Sequence, residues 1–334
     1  MIEDSLGRPL RDLRISVTDR CNLRCQFCMP EGEDYEFFPR SEILTFEEIS
    51  RVARVCASLG VKKIRITGGE PLLRRDLEKL IYMLSKIDGI EDISLTTNGV
   101  LLAQKAKALK EAGLKRVTVS LHSLKDQVLS KLVGREVRVS AILEGIEEAI
   151  RVGLNPVKVN VCVIKGVNDG EILDIAKFFK AMGVVVRFIE FMDVGNLNHW
   201  SLDKVFSAKE IVETISKEFE IEPVEKSYRG EVAQRYRYKD DGVEFGVISS
   251  ITSPFCGDCN RLRLTADGKL LTCLFATDGH NIKSLLRKGA SDEELRDFII
   301  SVWKARKDRY SEERWEILKR GEKLRKIEMF KVGG

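Results

Sequence analysis

No stretch of the chain approaches the roughly 20 consecutive apolar residues that a membrane-spanning helix needs, so no membrane partner is expected. The N-terminal stretch MIEDSLGRPLRDLR carries acids and lacks an apolar core, so no secretory leader is expected either, and the expected location is the cytoplasm. An excess of one charge is missing too. Lys+Arg number 56 against 52 Asp+Glu, a net +4, which argues against nucleic acid as the main partner because counterion release needs a strongly basic face. Neither a GxxxxGK[ST] P-loop nor a GxGxxG fingerprint occurs, so any nucleotide would be held without those cradles. Internal repeats and low-complexity tracts are also lacking. With 43% hydrophobic and 32% charged residues over 334 positions, the chain can build one large core or two ordinary ones.

What is present in quantity is cysteine, eight residues in all. In a reducing compartment these are not expected to form a disulfide framework, so their spacing has to choose between metal, catalysis and packing. Cys56 and Cys162 stand alone inside apolar patterns and read as small buried hydrophobes. The other six form two triplets. Cys21, Cys25 and Cys28 fall within eight residues of one loop, with no fourth thiol nearby. Iron–sulfur cubes take thiolate ligands, commonly four. Three would leave one iron open, as catalytic metals require, whereas structural zinc prefers four ligands in two close pairs. Cys256 and Cys259 form a CxxC, and Cys273 follows after a turn at Asp267-Gly268. With His280 seven residues further on, a Cys3His zinc site is chemically sound, and spacing alone leaves zinc and an iron–sulfur cluster both open.

The N-terminal two-thirds alternates short β-branched runs with amphipathic helical patterns. Strands are expected at 13–17, 63–67, 92–97, 116–121, 157–164 and 184–191, and helices at 45–59, 76–87, 101–112, 140–152 and 169–182. Thr45 and Glu48 have the spacing of a capping box. Six β/α units imply a parallel sheet, open or curved into a barrel, with too few strands for a complete eight-stranded one. From about Trp200 the rhythm changes to a helix at 207–219, alternating segments at 234–238 and 243–249, a hairpin at 261–274 and charged helices at 291–309 and 311–323. Chemistry in parallel sheets gathers at the C-terminal ends of the strands. The first cysteine triplet, Thr67-Gly-Gly-Glu-Pro71, Thr96-Thr-Asn-Gly99, Ser120-Leu-His-Ser123 and Glu190-Phe-Met192 all fall there, while Lys158 begins the fifth strand.

Taken together these residues resemble the radical S-adenosylmethionine (SAM) superfamily, through Cys21-x3-Cys25-x2-Cys28 with an aromatic before the last Cys and a GGEP segment. Within it the chain is similar to the GTP 3′,8-cyclase family, which opens molybdenum-cofactor biosynthesis. The resemblance runs from Arg11-Asp-Leu-Arg-Ile-Ser-Val-Thr-Asp-Arg-Cys-Asn through Arg187-Phe-Ile-Glu-Phe-Met, Pro254-Phe-Cys-Gly-Asp-Cys-Asn-Arg-Leu-Arg-Leu-Thr and Gly268-Lys-Leu-Leu-Thr-Cys-Leu-Phe to the terminal Gly333-Gly334.

The resemblance implies an incomplete (β/α)6 barrel of TIM type closed by a C-terminal α+β region, with a radical SAM domain at 1–200 and a second-cluster domain at 201–334. It implies two [4Fe-4S] clusters, one on Cys21, Cys25 and Cys28, the other on Cys256, Cys259 and Cys273. SAM would contact Gly69, Ser120, Met192 and the backbone of Phe27. GTP would contact Arg14, Arg65, Thr96, Lys158 and the stretch Arg261, Leu262, Arg263, and arginine suits phosphate oxygens. Arg14, Arg261, Arg263, Gly333 and Gly334 are the implied catalytic set. A 5′-deoxyadenosyl radical would take hydrogen from ribose C3′, and C3′ would join guanine C8. An electron donor, a homodimer and hand-off to cyclic pyranopterin monophosphate synthase are implied as partners. Phe27 and His122 depart from the Tyr and Asp commoner in that family.

Overall fold

The computed structural model describes residues 2–322 and 324–333. Among the described residues twelve strands occur in chain order: β1 (Asp12–Ser16), β2 (Lys63–Thr67), β3 (Asp92–Thr97), β4 (Arg116–Ser120), β5 (Lys158–Val163), β6 (Val185–Glu190), β7 (Ile221–Val224), β8 (Gln234–Tyr238), β9 (Glu244–Ile248), β10 (Arg261–Leu264), β11 (Lys269–Leu271) and β12 (His280–Asn281). The helices are α1 (Phe46–Ser58), α2 (Leu77–Ser85), α3 (Leu102–Glu111), α4 (Asp126–Val133), α5 (Val139–Arg151), α6 (Ile172–Ala181), α7 (Ala208–Ser216), α8 (Ile282–Arg287), α9 (Asp292–Lys304), α10 (Tyr310–Lys319) and α11 (Met329–Val332).

All strands join one sheet in the order β12-β11-β10-β1-β2-β3-β4-β5-β6-β9-β8-β7. The six expected parallel strands run side by side at its centre. The C-terminal region extends both edges, because β10 adds parallel to β1 and β9 adds parallel to β6. Antiparallel pairs finish each end. The β7–β8 loop reaches across to the residues just before β10 and to β2. There the Arg229 carbonyl accepts from Asn260 Nδ2 at 3.4 Å, the Arg229 side chain pairs with Asp258 at 3.2 Å, and the Tyr228 ring lies 3.5 Å from Lys63 Nζ.

Strand alternation separates two faces. Leu13, Ile15, Ile64, Ile66, Val117, Val119, Val159 and Val161 are at most 1% exposed and belong to the core. The intervening residues, Asp12 and Arg14, Lys63 and Arg65, Ser94 and Thr96, Lys158 and Asn160, line a cavity instead. Helix starts follow local chemistry. The capping box at Thr45 is formed, with Thr45 Oγ accepting from Glu48 N at 3.2 Å and Glu48 Oε2 from Thr45 N at 2.8 Å. Ser207 and Ser291 open α7 and α9 the same way.

Several expectations are revised. The segment 126–133, left without an element by the sequence pattern, forms α4. The helix expected over 291–309 stops at Lys304, because Arg306 turns inward, where it is 4% exposed and donates to the Cys259 carbonyl at 2.6 Å. Glu190 also differs from a rim residue. It is fully buried outside the cavity and accepts from Ala208 N (2.7 Å), Ile251 N (2.8 Å) and Thr252 N (3.0 Å), tying β6 to the C-terminal region.

Candidate active site

The cavity has a volume of about 730 Å³ and takes in all six clustered cysteines. At one end the loop after β1 carries Cys21, Cys25 and Cys28. It turns tightly, with the Cys25 carbonyl accepting from Cys28 N at 3.0 Å and Met29 N at 2.8 Å. Arg24 N and Gln26 N donate to the carbonyls of Val133 and Leu132 at 2.7 and 2.9 Å, so α4 is the seat of the loop. Gly134 is required there, since a Cβ would lie 2.5 Å from the Arg24 carbonyl. Burial pushes the Cys21 thiol up to about 11, and burial together with neighbouring thiols raises Cys25 and Cys28. Such thiols stay protonated until a metal displaces the proton.

Gly69 lies against this loop. Its N–H donates to the Thr18 carbonyl at 2.8 Å, and a Cβ there would sit 2.4 Å from the Arg20 carbonyl. The neighbouring Glu70 accepts from Leu72 N, Thr97 Oγ1 and Asn98 N at 2.7 to 2.9 Å, while burial pushes its carboxyl up to about 7. Phe27, Ser120 and Met192 line the same end. So do His122, which the sequence leaves without a role, and Cys162, which it reads as a small buried hydrophobe. His122 packs edge-on to Phe27 at 4.7 Å, and its Nδ1 accepts from Cys162 N at 3.1 Å. Burial lowers its pKa to about 4, so the ring is neutral with its proton on Nε2. Cys162 is 9% exposed, as a buried hydrophobe should be, yet it faces the cavity, whereas Cys56 is enclosed in the core.

At the other end Cys256 and Cys259 flank a single helical turn before β10, and Cys273 follows β11. Burial opposes ionisation of Cys259, but Arg261 and Arg306 outweigh it and bring the thiol down to about 6. Arg306 Nη2 donates to its sulfur at 3.0 Å. Cys273 Sγ accepts from Phe275 N at 3.5 Å, and burial raises its pKa to about 12. His280 is exposed on β12, away from the cavity, so the Cys3His zinc arrangement does not form. Among the described residues no three His, Cys, Asp or Glu side chains are set to hold a single metal ion.

Between the triplets lies a band of cations. Register places Arg14 directly between Arg263 on β10 and Arg65 on β2. Arg65 Nη1 donates to Thr96 Oγ1 at 3.1 Å. Lys158 completes the expected set. Lys63, Arg116 and Arg187 join it in the cavity wall, although the sequence reading did not select them. Arg116 is held by Asp92, with its Nε 3.0 Å from both carboxylate oxygens, and Arg187 Nε donates to Asn160 Oδ1 at 2.9 Å. Burial, then repulsion from neighbouring cations, lowers Arg263 and Arg65 to about 10, Arg187 to about 9 and Lys158 to about 8. Arg261 Nε, a donor in this wall, has no partner among the described residues. Buried like charges with unmet donors fit a multivalent anion.

Leu262 does not share that wall. It is fully buried on the opposite face of β10, packed in the helix-covered core, and its side chain is no part of the cavity. From the C-terminus Gly333 comes up against Arg263 and Thr67 of the cavity wall. Its carbonyl accepts from Arg263 Nη1 at 2.5 Å, and a Cβ there would meet Thr67 Cγ2 at 2.4 Å. Gly334 lies outside the described residues.

Comparison with known proteins agrees with this geometry. Residues 15–179 match the radical SAM superfamily, and residues 184–312 match the family described as Molybdenum Cofactor Synthesis C. The fold is also that of the Streptococcus suis SuiB crystal structure bound to S-adenosylmethionine, with TM-score 0.60, 16% identity, and coverage of 87% of this chain and 68% of that one. The structure titled anSMEcpe with bound AdoMet gives TM-score 0.51 at 18% identity over 63% and 58%. A fold and cysteine loop of this kind define the class of radical SAM enzymes. The GTP 3′,8-cyclases of Staphylococcus aureus strains JH9 and Newman are each 52% identical over 100% of this chain and 99% of theirs. The chain therefore belongs to the GTP 3′,8-cyclase family.

Proposed function

We propose that this protein converts GTP to (8S)-3′,8-cyclo-7,8-dihydroguanosine 5′-triphosphate, the first step of molybdopterin biosynthesis. The observation that carries the reading is one cavity with a cysteine triplet at each end and a band of buried cations between them.

The residues fit the implied groups. Three thiols of one tight loop face open cavity beside a glycine too close to backbone for any Cβ, which suits Cys21, Cys25 and Cys28 to a four-iron cluster and Gly69 to SAM. Held by these residues, the cluster and SAM would supply the radical chemistry needed at the ribose C3′ position. Cys256, Cys259 and Cys273 suit a second four-iron cluster, which would supply a binding point for the base of the substrate. A cube is several ångströms across and is gripped through separate irons, so its thiolates need not converge as they must on one ion.

The chain's own residues do the rest. Phe27, Ser120 and Met192 wall the SAM end, and the neutral His122 beside Phe27 adds no charge to it. Arg14, Arg65, Lys158, Arg261 and Arg263 take the triphosphate, joined in this reading by Lys63 and Arg187, and Thr96 orients Arg65. Leu262 contributes only backbone. The rolled sheet, an incomplete barrel extended at both edges by the C-terminal region, would shield the reacting groups from water, with Gly333 held against Arg263 of its wall. We read 1–200 as the radical-generating domain and 201–334 as the substrate-holding one. No described helix is long and apolar enough to cross a membrane. A cytoplasmic homodimer that takes electrons from a separate donor and passes product to cyclic pyranopterin monophosphate synthase completes the reading.

The test is an anaerobic assay with dithionite, SAM and GTP on reconstituted protein. Formation of 5′-deoxyadenosine together with a cyclic GTP-derived product is expected. Deoxyadenosine without that product would overturn the substrate assignment.

A further inference from the structure

The C-terminal segment is gripped at two places before it reaches the cavity. The first grip is aromatic. Phe330, on α11, is 2% exposed and is held by the loop between Cys28 and α1. Its ring meets Tyr35 at 5.4 Å and 90° and Phe37 at 6.2 Å and 64°. That clamp belongs to the cysteine loop. Tyr35 Oη donates to the Pro30 carbonyl at 2.5 Å. Arg20, just before Cys21, lies over Phe37 at 5.1 Å, and Arg24, between Cys21 and Cys25, lies over Tyr35 at 5.8 Å. The second grip is polar and comes from the turn after Met192. Asn196 donates through N and Nδ2 to Glu328 Oε1 at 3.0 and 2.9 Å and accepts from Lys326 N at 3.1 Å, while Lys326 Nζ reaches Asp193 Oδ2 at 2.8 Å. The tail thus touches the loop of the first cysteine triplet and the turn beside the SAM end, and only then delivers Gly333 to Arg263.

We propose that Phe330 is a positioning residue that couples tail and cysteine loop: the tail seats fully only on a loop already wrapped around its cluster, and once seated it holds that loop closed and slows iron loss. This rests on the reading of Cys21, Cys25 and Cys28 as cluster ligands. The physical basis is shared contact. A Phe side chain excluded from water by two rings of a single loop is exposed whenever that loop opens. Whatever stabilises the closed loop must favour the seated tail, and by linkage the seated tail must favour the closed, iron-loaded loop to the same degree. The polar grip keeps the segment nearby when the aromatic one releases.

The experiment uses the anaerobically reconstituted holoenzyme and two readouts other than turnover. Hydrogen exchange by mass spectrometry follows residues 30–38 and 326–333, and a chelator follows the phase of iron release that SAM slows. Removing iron from the wild type should speed exchange in 326–333 by about tenfold or more, as expected when local opening replaces a closed state. Phe330→Ala should speed exchange in 30–38 and the SAM-protected iron release by a similar factor, with unchanged melting of the rest of the protein. Phe330→Leu should recover most of the effect. Tyr35→Ala combined with Phe330→Ala should be less than additive, since each breaks the same contact. Tail exchange indifferent to iron, or iron release unchanged in Phe330→Ala, overturns the coupling while leaving the cyclase reading intact. A protein that takes up no iron overturns the cluster reading itself, and the coupling with it.

Discussion

At the scale of single residues, the site is governed by positions where one group too many cannot fit. Gly69→Ala puts a methyl 2.4 Å from the Arg20 carbonyl, so the cysteine loop has to move. The expected outcome is loss of SAM binding by about tenfold or more at normal melting temperature, read by equilibrium titration of the iron-loaded protein. Lys158 permits a test by pH. Burial and neighbouring cations lower its pKa to about 8 in the free cavity, so its charge is present below that pH and lost above it. A bound polyanion favours the charged form. GTP affinity should therefore fall as pH rises through about 8, and binding at pH 8.5 should take up protons. Calorimetry in two buffers of different ionisation heat measures that uptake, and Lys158→Arg should reduce it sharply, because a guanidinium holds its proton more tightly than an ammonium in the same surroundings. Arg263→Ala should lower kcat/KM for GTP by roughly tenfold or more, the loss expected of one charge-assisted hydrogen bond, with iron content unchanged. Iron loss would instead show that Arg263 maintains the cluster.

At the scale of elements, the sequence pattern located the central strands to within a residue or two because their outward faces obey strict alternation. The same alternation carries a second signal. Buried parallel strands ordinarily read as continuous apolar runs. Lys63-Ile-Arg-Ile-Thr67 and Arg187-Phe-Ile do not, and the charges in such runs mark an inner face lined for a ligand. Lys63, Arg116 and Arg187 were legible by that argument. In the stretch Arg261 to Arg263 the Leu262 side chain points to the core and leaves only its backbone on the cavity side, because successive residues on a strand point to opposite faces. Arg306 and α4 were not legible. A helix that stops at Lys304 to send an arginine to Cys259 obeys a tertiary bond 47 residues away, which no local pattern contains. The tail, α11 with Gly333, makes an element-scale prediction. Deleting residues 333–334 should abolish cyclisation yet leave the melting temperature and iron content close to normal, because these residues lie beyond the Phe330 and Glu328 contacts. Full activity in the truncated protein would mean that Gly333 only rests against Arg263.

At the scale of the whole molecule, the sheet is arranged so that two distant parts of the sequence meet across one space. β10 lies beside β1, so the second cysteine triplet and its arginines join the start of the chain, while β9 extends the far edge beyond β6. Radical generation and substrate holding should therefore be separable. Replacing Cys256, Cys259 and Cys273 with serine removes the thiols at the substrate end. The Cys21 loop stays seated on α4 and beside Gly69, contacts that involve no residue of the C-terminal region. Under dithionite this variant should bind about half the iron of the wild type and still cleave SAM to 5′-deoxyadenosine. It should yield no cyclic product at any GTP concentration, because the triphosphate band alone cannot orient the base. The reverse variant, with Cys21, Cys25 and Cys28 as serine, should lose SAM cleavage entirely yet retain GTP binding within a few-fold, since the cations sit on strands its mutations do not touch. Anaerobic iron analysis, deoxyadenosine yield and GTP titration on the two proteins decide the matter. If both variants lose both functions, the cavity works as one inseparable unit, and the division of labour between its ends is wrong.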